Sequence, residues 1–246
     1  LLMDDGGSEL DPMFTIKLAE DGAPNIIQDE VSWSDGERLW IHPSTEYTLS
    51  VPINESNGYG DLERVIVDLA IDEDNYFAIT WDQRAQTCVS SEVLMTVIDC
   101  GPRAGIADFD SDVIIDFTME FDWGFSSDPS VVRSMGISAW DDAGQSSRVT
   151  PPHMDWRFST EVEVDLSTVT LANSSYWVLP TQESLVHGQL IWHRDKEPVL
   201  EDIEIEIKLD NVPFIGTSSA GEITVDFQTP SESGVYPLTI KASDLP

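Results

Sequence analysis

Asp108, Asp110 and Asp112 recur at every second position of the stretch ADFDSDVIIDF. A calcium ion takes roughly six to eight oxygen ligands, and alternate carboxylates on a loop entering a strand can supply three of them. The segment therefore reads either as a solvated acidic loop or as a structural calcium site, the first being the plainer reading in so acidic a chain. It departs from the calcium loop of helix–loop–helix proteins, since Val113 stands where the turn needs glycine and Met119 where an acid closes the loop. Two further acidic groups, Asp72 with Glu73 and Asp74, and Asp141 with Asp142, rank below it as cation ligands.

No catalytic set is visible. The four histidines, His42, His153, His187 and His193, are too scattered for a paired-ligand motif. On one extended strand His187 and His193 would stand about 20 Å apart, too far to share a metal. Neither a Gly-x-Ser-x-Gly elbow nor a glycine-rich phosphate loop occurs. Acid pairs of the glycosidase kind have no support beyond the abundance of carboxylates. The expectation is a protein without a catalytic residue or a required cofactor.

Eight tryptophans are many for 246 residues. Sandwich cores and domain joints consume most such side chains, but exposed ones can stack on sugar rings. Trp33 lies in the polar stretch VSWSDGE, and Trp140 falls on the face opposite Met135, Ile137 and Ala139, so these two are the expected stacking residues. Cys88 and Cys100 are the only cysteines, close enough for a disulfide across neighbouring strands or at the base of a loop. Two buried thiols are the alternative. Asn54 and Asn173 head Asn-x-Ser sequons in stretches that read as loops, which makes them glycosylation acceptors in a secreted setting.

The 46 acidic residues against 12 basic ones give a formal net charge of -34. Such a surface repels phosphate backbones and anionic lipid, so nucleic acid is not an expected partner. It suits a protein kept hydrated in saline surroundings, or one that collects divalent cations. No apolar run approaches the roughly 20 residues that cross a bilayer, and direct membrane insertion is not expected. The opening LLMDDGGSELDPMF lacks the features of a signal peptide, and the chain reads as an excised piece of a larger extracellular or cell-surface protein.

The elements that carry these residues follow a period of two. Phe14, Ile16 and Leu18 alternate with polar neighbours, as do Tyr47, Leu49 and Val51, and then Val65, Val67, Leu69 and Ile71. The run DVIIDFTMEFDW sets Val113, Ile115, Phe117, Met119 and Phe121 against Asp112, Asp116, Glu120 and Asp122. WDDAGQSS is a turn, Pro151 and Pro152 mark a joint, and IEIEIKL, EITVDF and VYPLTIKAS resume the alternation. Short strands at this spacing predict an all-β chain of two tandem antiparallel β-sandwich domains of immunoglobulin-like character, residues 1–166 and 167–246.

Gly188, Pro198, the Ile203 to Leu209 strand, Thr217 with Gly221, and Gly234 with Tyr236 and Leu238 resemble a known pattern. It is that of the prealbumin-like, or carboxypeptidase-regulatory-like, modules of prokaryotic surface proteins, over residues 186–243. GISAWDDAGQSS more weakly resembles the closing strands of immunoglobulin-like repeats. The resemblance implies a non-catalytic structural or adhesive segment, whose partners are neighbouring domains of its parent protein and surface glycans or other surface proteins. The alternative is a carbohydrate-binding module using exposed tryptophans, with or without structural calcium.

Overall fold

The computed structural model describes residues 22–34, 36, 39–70, 77–125, 128–171 and 177–242. Its strands are β1 (Asn25–Ile26), β2 (Ser32–Trp33), β3 (Trp40–Ile41), β4 (Tyr47–Asn54), β5 (Leu62–Asp68), β6 (Ala78–Asp82), β7 (Thr87–Ser90), β8 (Met95–Pro102) and β9 (Asp112–Phe121). They continue as β10 (Gly136–Asp141), β11 (Ser146–Val149), β12 (Arg157–Phe158), β13 (Val162–Leu171), β14 (Glu183–Trp192), β15 (Glu204–Leu209), β16 (Val212–Ser219), β17 (Glu222–Gln228) and β18 (Leu238–Ala242). Among the described residues the helical elements are single 3-10 turns at Gln28–Glu30 and Tyr59–Asp61. The chain is all-β.

Two five-stranded sheets share the first core. One runs β1-β4-β9-β8 with β2 added against β4, and the other runs β11-β10-β5-β6-β7. Along β9 the inward residues Val113, Ile115, Phe117, Met119 and Phe121 are buried and their neighbours are not, as a sheet with one wet face requires. Facing them, β5 contributes Val65 and Val67, β6 Ile79 and Trp81, and β10 Ile137 and Ala139, so the two sheets form a sandwich around one cluster. Cys88 on β7 and Cys100 on β8 are disulfide-bonded, which ties the edge of one sheet to the edge of the other.

The second core lies within one six-stranded antiparallel sheet, β13-β14-β17-β16-β15-β18, that curls until its edge strands β13 and β18 touch. Its alternation is regular: Ile223, Val225 and Phe227 are buried while Glu222, Thr224 and Asp226 are exposed. Asp210 with Asn211, and Ala220 with Gly221, all at positive φ, form the tight turns of the β15–β16 and β16–β17 hairpins. Gly221 is also a close approach, since a Cβ there would lie 2.9 Å from Pro198.

The passage between the cores is short. β12 pairs in parallel with β3, and only residues 159–161 separate it from β13. β13 runs through the boundary expected at residues 166 and 167, pairing with β14 on both sides of it, from Val162 to Asp165 and again at Thr170 and Leu171. The joint expected at Pro151 and Pro152 precedes β12 and still belongs to the first unit. The strand expected over Phe14 to Leu18 and the acids Asp72, Glu73 and Asp74 lie outside the described residues, as does the sequon at Asn173.

Candidate functional site

Two places combine buried polar chemistry with several elements: the junction between the units and one pole of the first sandwich. At the junction, β3 delivers His42 into a fully buried position beside the segment that follows β12. Its Nδ1 lies 2.8 Å from the Ser159 carbonyl oxygen and its Nε2 lies 2.7 Å from Asp195 Oδ2. Both neighbours are hydrogen-bond acceptors, so the ring is anchored from two sides. The ring also stacks on Trp192, with centroids 4.4 Å apart and planes 3° from parallel.

The contacts around this pair come from both units. Trp123, just beyond β9, donates from Nε1 to Glu201 Oε2 at 2.7 Å and packs against Trp192. The guanidinium of Arg194 sits 5.4 Å from the centre of the Trp40 ring and pairs with Glu161 at 2.7 Å. Nearby, Glu163 on β13 accepts from Lys196 and from His193 Nδ1. The Lys196 bond first, and then the His193 bond, hold its carboxyl below the ordinary range. Away from the junction, Glu206 is held low in the same way, by Lys241 and then Lys208.

At the pole of the first sandwich the segment 55–61 lies against the segment 107–111. Tyr59 N donates to the Asp110 carbonyl at 2.8 Å and Gly60 N to that of Asp108 at 2.9 Å. Gly58 is at φ 98, and a Cβ on it would fall 2.5 Å from the Asp108 carbonyl oxygen, so glycine is required for the approach.

This docking uses the backbone of the acidic loop, and the side chains of Asp108, Asp110 and Asp112 do not converge. Asp110 Oδ2 accepts from Ala107 N within its own loop, and Asp112 Oδ1 accepts from Asn54 Nδ2 across the β4–β9 pair. Asp108 and Asp112 are exposed. Only Asp112 belongs to β9, while Asp108 and Asp110 lie in the turn before it, so the every-second-residue spacing that would line one face of a strand does not gather the three carboxylates.

The acids that do converge at this pole are Glu55, Asp61 and Asp141, with one carboxylate oxygen from each within 4.8 Å of the others. Glu55 and Asp141 are fully buried. Both continue inward-facing alternations, Glu55 after Leu49, Val51 and Ile53, and Asp141 after Ile137 and Ala139. That continuation of a core face into an acid was the available sequence signal. A register shift between Trp140 and Asp141 in the β10–β5 pair completes the placement, setting Asp141 opposite Leu62.

The aromatic expectation is corrected. Trp33 is 2% exposed, because its pairing with Leu49 inserts the indole into the core beside Tyr47. Trp140 is half-buried on the outer face of β10, and the Arg64 guanidinium lies 4.5 Å from its ring centre. The exposed indole among the described residues is Trp177, at 84%. The side chain of Asn54 is half-buried and engaged with Asp112. No helix among the described residues is long and apolar enough to cross a membrane.

No protein-family model matches the sequence, and no curated protein matches it. Among solved structures the chain is similar to a variant of BcpA, the major pilin subunit of Bacillus cereus, with a TM-score of 0.32 and 12% identity, covering 99% of this chain and 70% of that one. It is similar to the sialic acid binding region of a Streptococcus sanguinis adhesin, with a TM-score of 0.34 and 8% identity over 92% of this chain and 74% of that one. A DUF4466 family protein from Parabacteroides merdae gives a TM-score of 0.35 and 8% identity over 83% of this chain and 97% of its own. Likeness at these levels carries no argument about what this chain does.

Proposed function

We propose that this chain is a non-catalytic structural or adhesive segment of a larger extracellular or cell-surface protein. The observation that carries this reading is the junction. A short passage of residues 159–161 and the contacts among His42, Trp192, Asp195 and Trp123 join the two β-units through side chains of both. A segment that spaces or presents neighbouring domains needs a fixed geometry between its units, and contacts of this kind supply it. The Cys88–Cys100 disulfide fits an oxidising compartment.

Neighbouring domains of the parent protein and other surface molecules are the partners this reading implies. Stacking on sugars by Trp33 and Trp140 is not supported, since one indole is buried and the other carries Arg64 on its face.

Small-angle scattering of the purified protein tests the reading. The wild-type profile is expected to fit a single arrangement of the two units, with His42→Ala requiring a spread of arrangements. A wild-type profile that already requires such a spread would remove the basis for a spacer. Incubation with polysaccharides and peptides is expected to give no turnover. Hydrolysis abolished by one Asp or Glu substitution would make the protein an enzyme.

A further inference from the structure

We propose that Glu55, Asp61 and Asp141 form a binding site for one divalent cation, of the size and hardness of calcium, that closes the pole of the first sandwich. The proposal is independent of the role assigned to the junction. One oxygen from each of the three carboxylates lies within 4.8 Å of the other two. Opposite ligands of a calcium ion stand about 4.6–5.2 Å apart, twice the usual calcium–oxygen distance, so three oxygens within this limit fit around one such ion. Magnesium, with shorter bonds and a stricter octahedron, tolerates less of that spread.

Convergence of acids alone is weak ground in a chain with 46 of them. A separate observation concerns Asp141. It is wholly buried, its Oδ1 accepts from Gln145 N at 2.7 Å, and its Oδ2 has no hydrogen-bond donor. A carboxylate oxygen buried without a donor is costly, and the cost rises with other acids at contact range. The carboxylates of Asp61 and Glu55 are themselves oriented, Asp61 Oδ2 accepting from Asn57 Nδ2 at 3.0 Å and Glu55 Oε1 from Asn57 N at 3.1 Å. A divalent cation satisfies the Asp141 oxygen and removes the repulsion in one step.

The topology gives the ion a structural task. Glu55 follows β4 of one sheet, Asp61 precedes β5 of the other, and Asp141 ends β10, so an ion here ties the β4–β5 crossover to the β10–β11 turn. The disulfide makes a comparable link between sheets at the β7–β8 edge.

The test compares wild type, Asp141→Asn, Asp61→Asn and Asp110→Asn after removal of metal by chelator. Calcium titrations are followed by calorimetry and by terbium luminescence sensitised through Tyr59, which lies in the segment that carries Glu55 and Asp61, and Trp81, whose ring is 6.1 Å from that of Tyr59. Wild type is expected to bind one ion per chain, with calcium displacing terbium at lower concentration than magnesium. Asp141→Asn and Asp61→Asn are expected to weaken binding at least tenfold, while Asp110→Asn, whose carboxylate serves its own loop, binds as wild type does.

A crossing of melting temperatures separates a ligand from a merely structural acid. In chelator Asp141→Asn is expected to melt higher than wild type, because a charge is removed from the group while Oδ1 is kept for Gln145. In calcium the order is expected to reverse. The proposal is overturned by a calcium response equal to that of sodium chloride at matched ionic strength, or by Asp141→Asn and Asp61→Asn binding as tightly as wild type. Loss of binding in Asp110→Asn alone would move the ion to the acidic loop and overturn it equally. Should Asp141→Asn fail to fold, Asp61→Asn, at a half-buried position, decides the matter by the same titration.

Discussion

The imidazole of His42 lies flat on the indole of Trp192, 4.4 Å between centroids and 3° from parallel, with one residue belonging to each β-unit. Neither ring is accessible, since His42 is 0% and Trp192 2% exposed. Replacing His42 by alanine leaves the Trp192 face without its stacked ring and removes the His42 bond to Asp195 Oδ2. Hydrogen bonds to charged groups contribute about 1.5–3 kcal/mol each, so a loss on the order of 3 kcal/mol is expected. The loss falls on the contact between units, and calorimetry is expected to resolve one transition in wild type and two in His42→Ala. A single transition at the wild-type temperature in the variant would show that the junction does not couple them.

The disulfide is expected to act on the first unit alone. Cys88 and Cys100 are 12 positions apart, and closing a loop of this size contributes about 3 kcal/mol in the chain-entropy account. Denatured, non-reduced protein is expected to titrate no free thiol, and in the His42→Ala background, where the two transitions separate, Cys88→Ala with Cys100→Ala is expected to lower the first-unit transition while the second stays in place. Two titratable thiols in the untreated protein would contradict the link.

Alternation made the strands readable: in β9 the inward residues named from the pattern are the buried ones, and the alternating runs IEIEIKL and EITVDF fall on β15 and β17. Where the reading failed, the cause is tertiary. Trp33 sits in a polar stretch and gave no sign of burial, which follows from a two-residue pairing with Ser50 and Leu49 that local sequence does not encode. The acids of the pole come from two segments far apart in the chain, 55–61 and the end of β10, while Asp108, Asp110 and Asp112 share one, so spacing along the chain favoured the group that does not converge. His42 was set aside as isolated, because its partners Asp195 and Trp192 are brought to it only by the passage from β12 to β13.

Glycine at position 58 is expected to be irreplaceable in a way that glycine at 144 is not. Both have positive φ, at 98° and 83°, and alanine at either pays strain of about 1 kcal/mol or more. At Gly144 a Cβ meets nothing within 4 Å, whereas at Gly58 it would sit 2.5 Å from the Asp108 carbonyl and 2.8 Å from the Phe109 Cα. Gly58→Ala must therefore also push the segment 55–61 off the acidic loop. Denaturant melts are expected to show a loss for Gly58→Ala at least twice that of Gly144→Ala. Equal losses would mean that the two segments are not in contact.

Acid sensitivity of the second unit is expected to trace in part to Glu163. Its carboxyl is held below its ordinary value of 4.5, first by the hydrogen bond from Lys196 and then by that from His193. A folded-state value below the unfolded one means that the folded state binds the proton less readily. The pairing therefore contributes its full stability above about pH 4.5 and loses it as pH falls through the folded value. Global acidification also relieves the repulsion of a chain with net charge -34, which works in the opposite direction, so the wild-type melting curve alone does not isolate the pair. The difference between wild type and Glu163→Gln does. At pH 7 the variant is expected to melt lower, and the gap to narrow between pH 5 and pH 3 as the wild-type carboxylate takes up its proton. The side chains are partly exposed, so the gap is expected to be small and to shrink further in high salt. A gap that stays constant from pH 7 to pH 3 would show that Glu163 acts through packing against β14 and not through its charge.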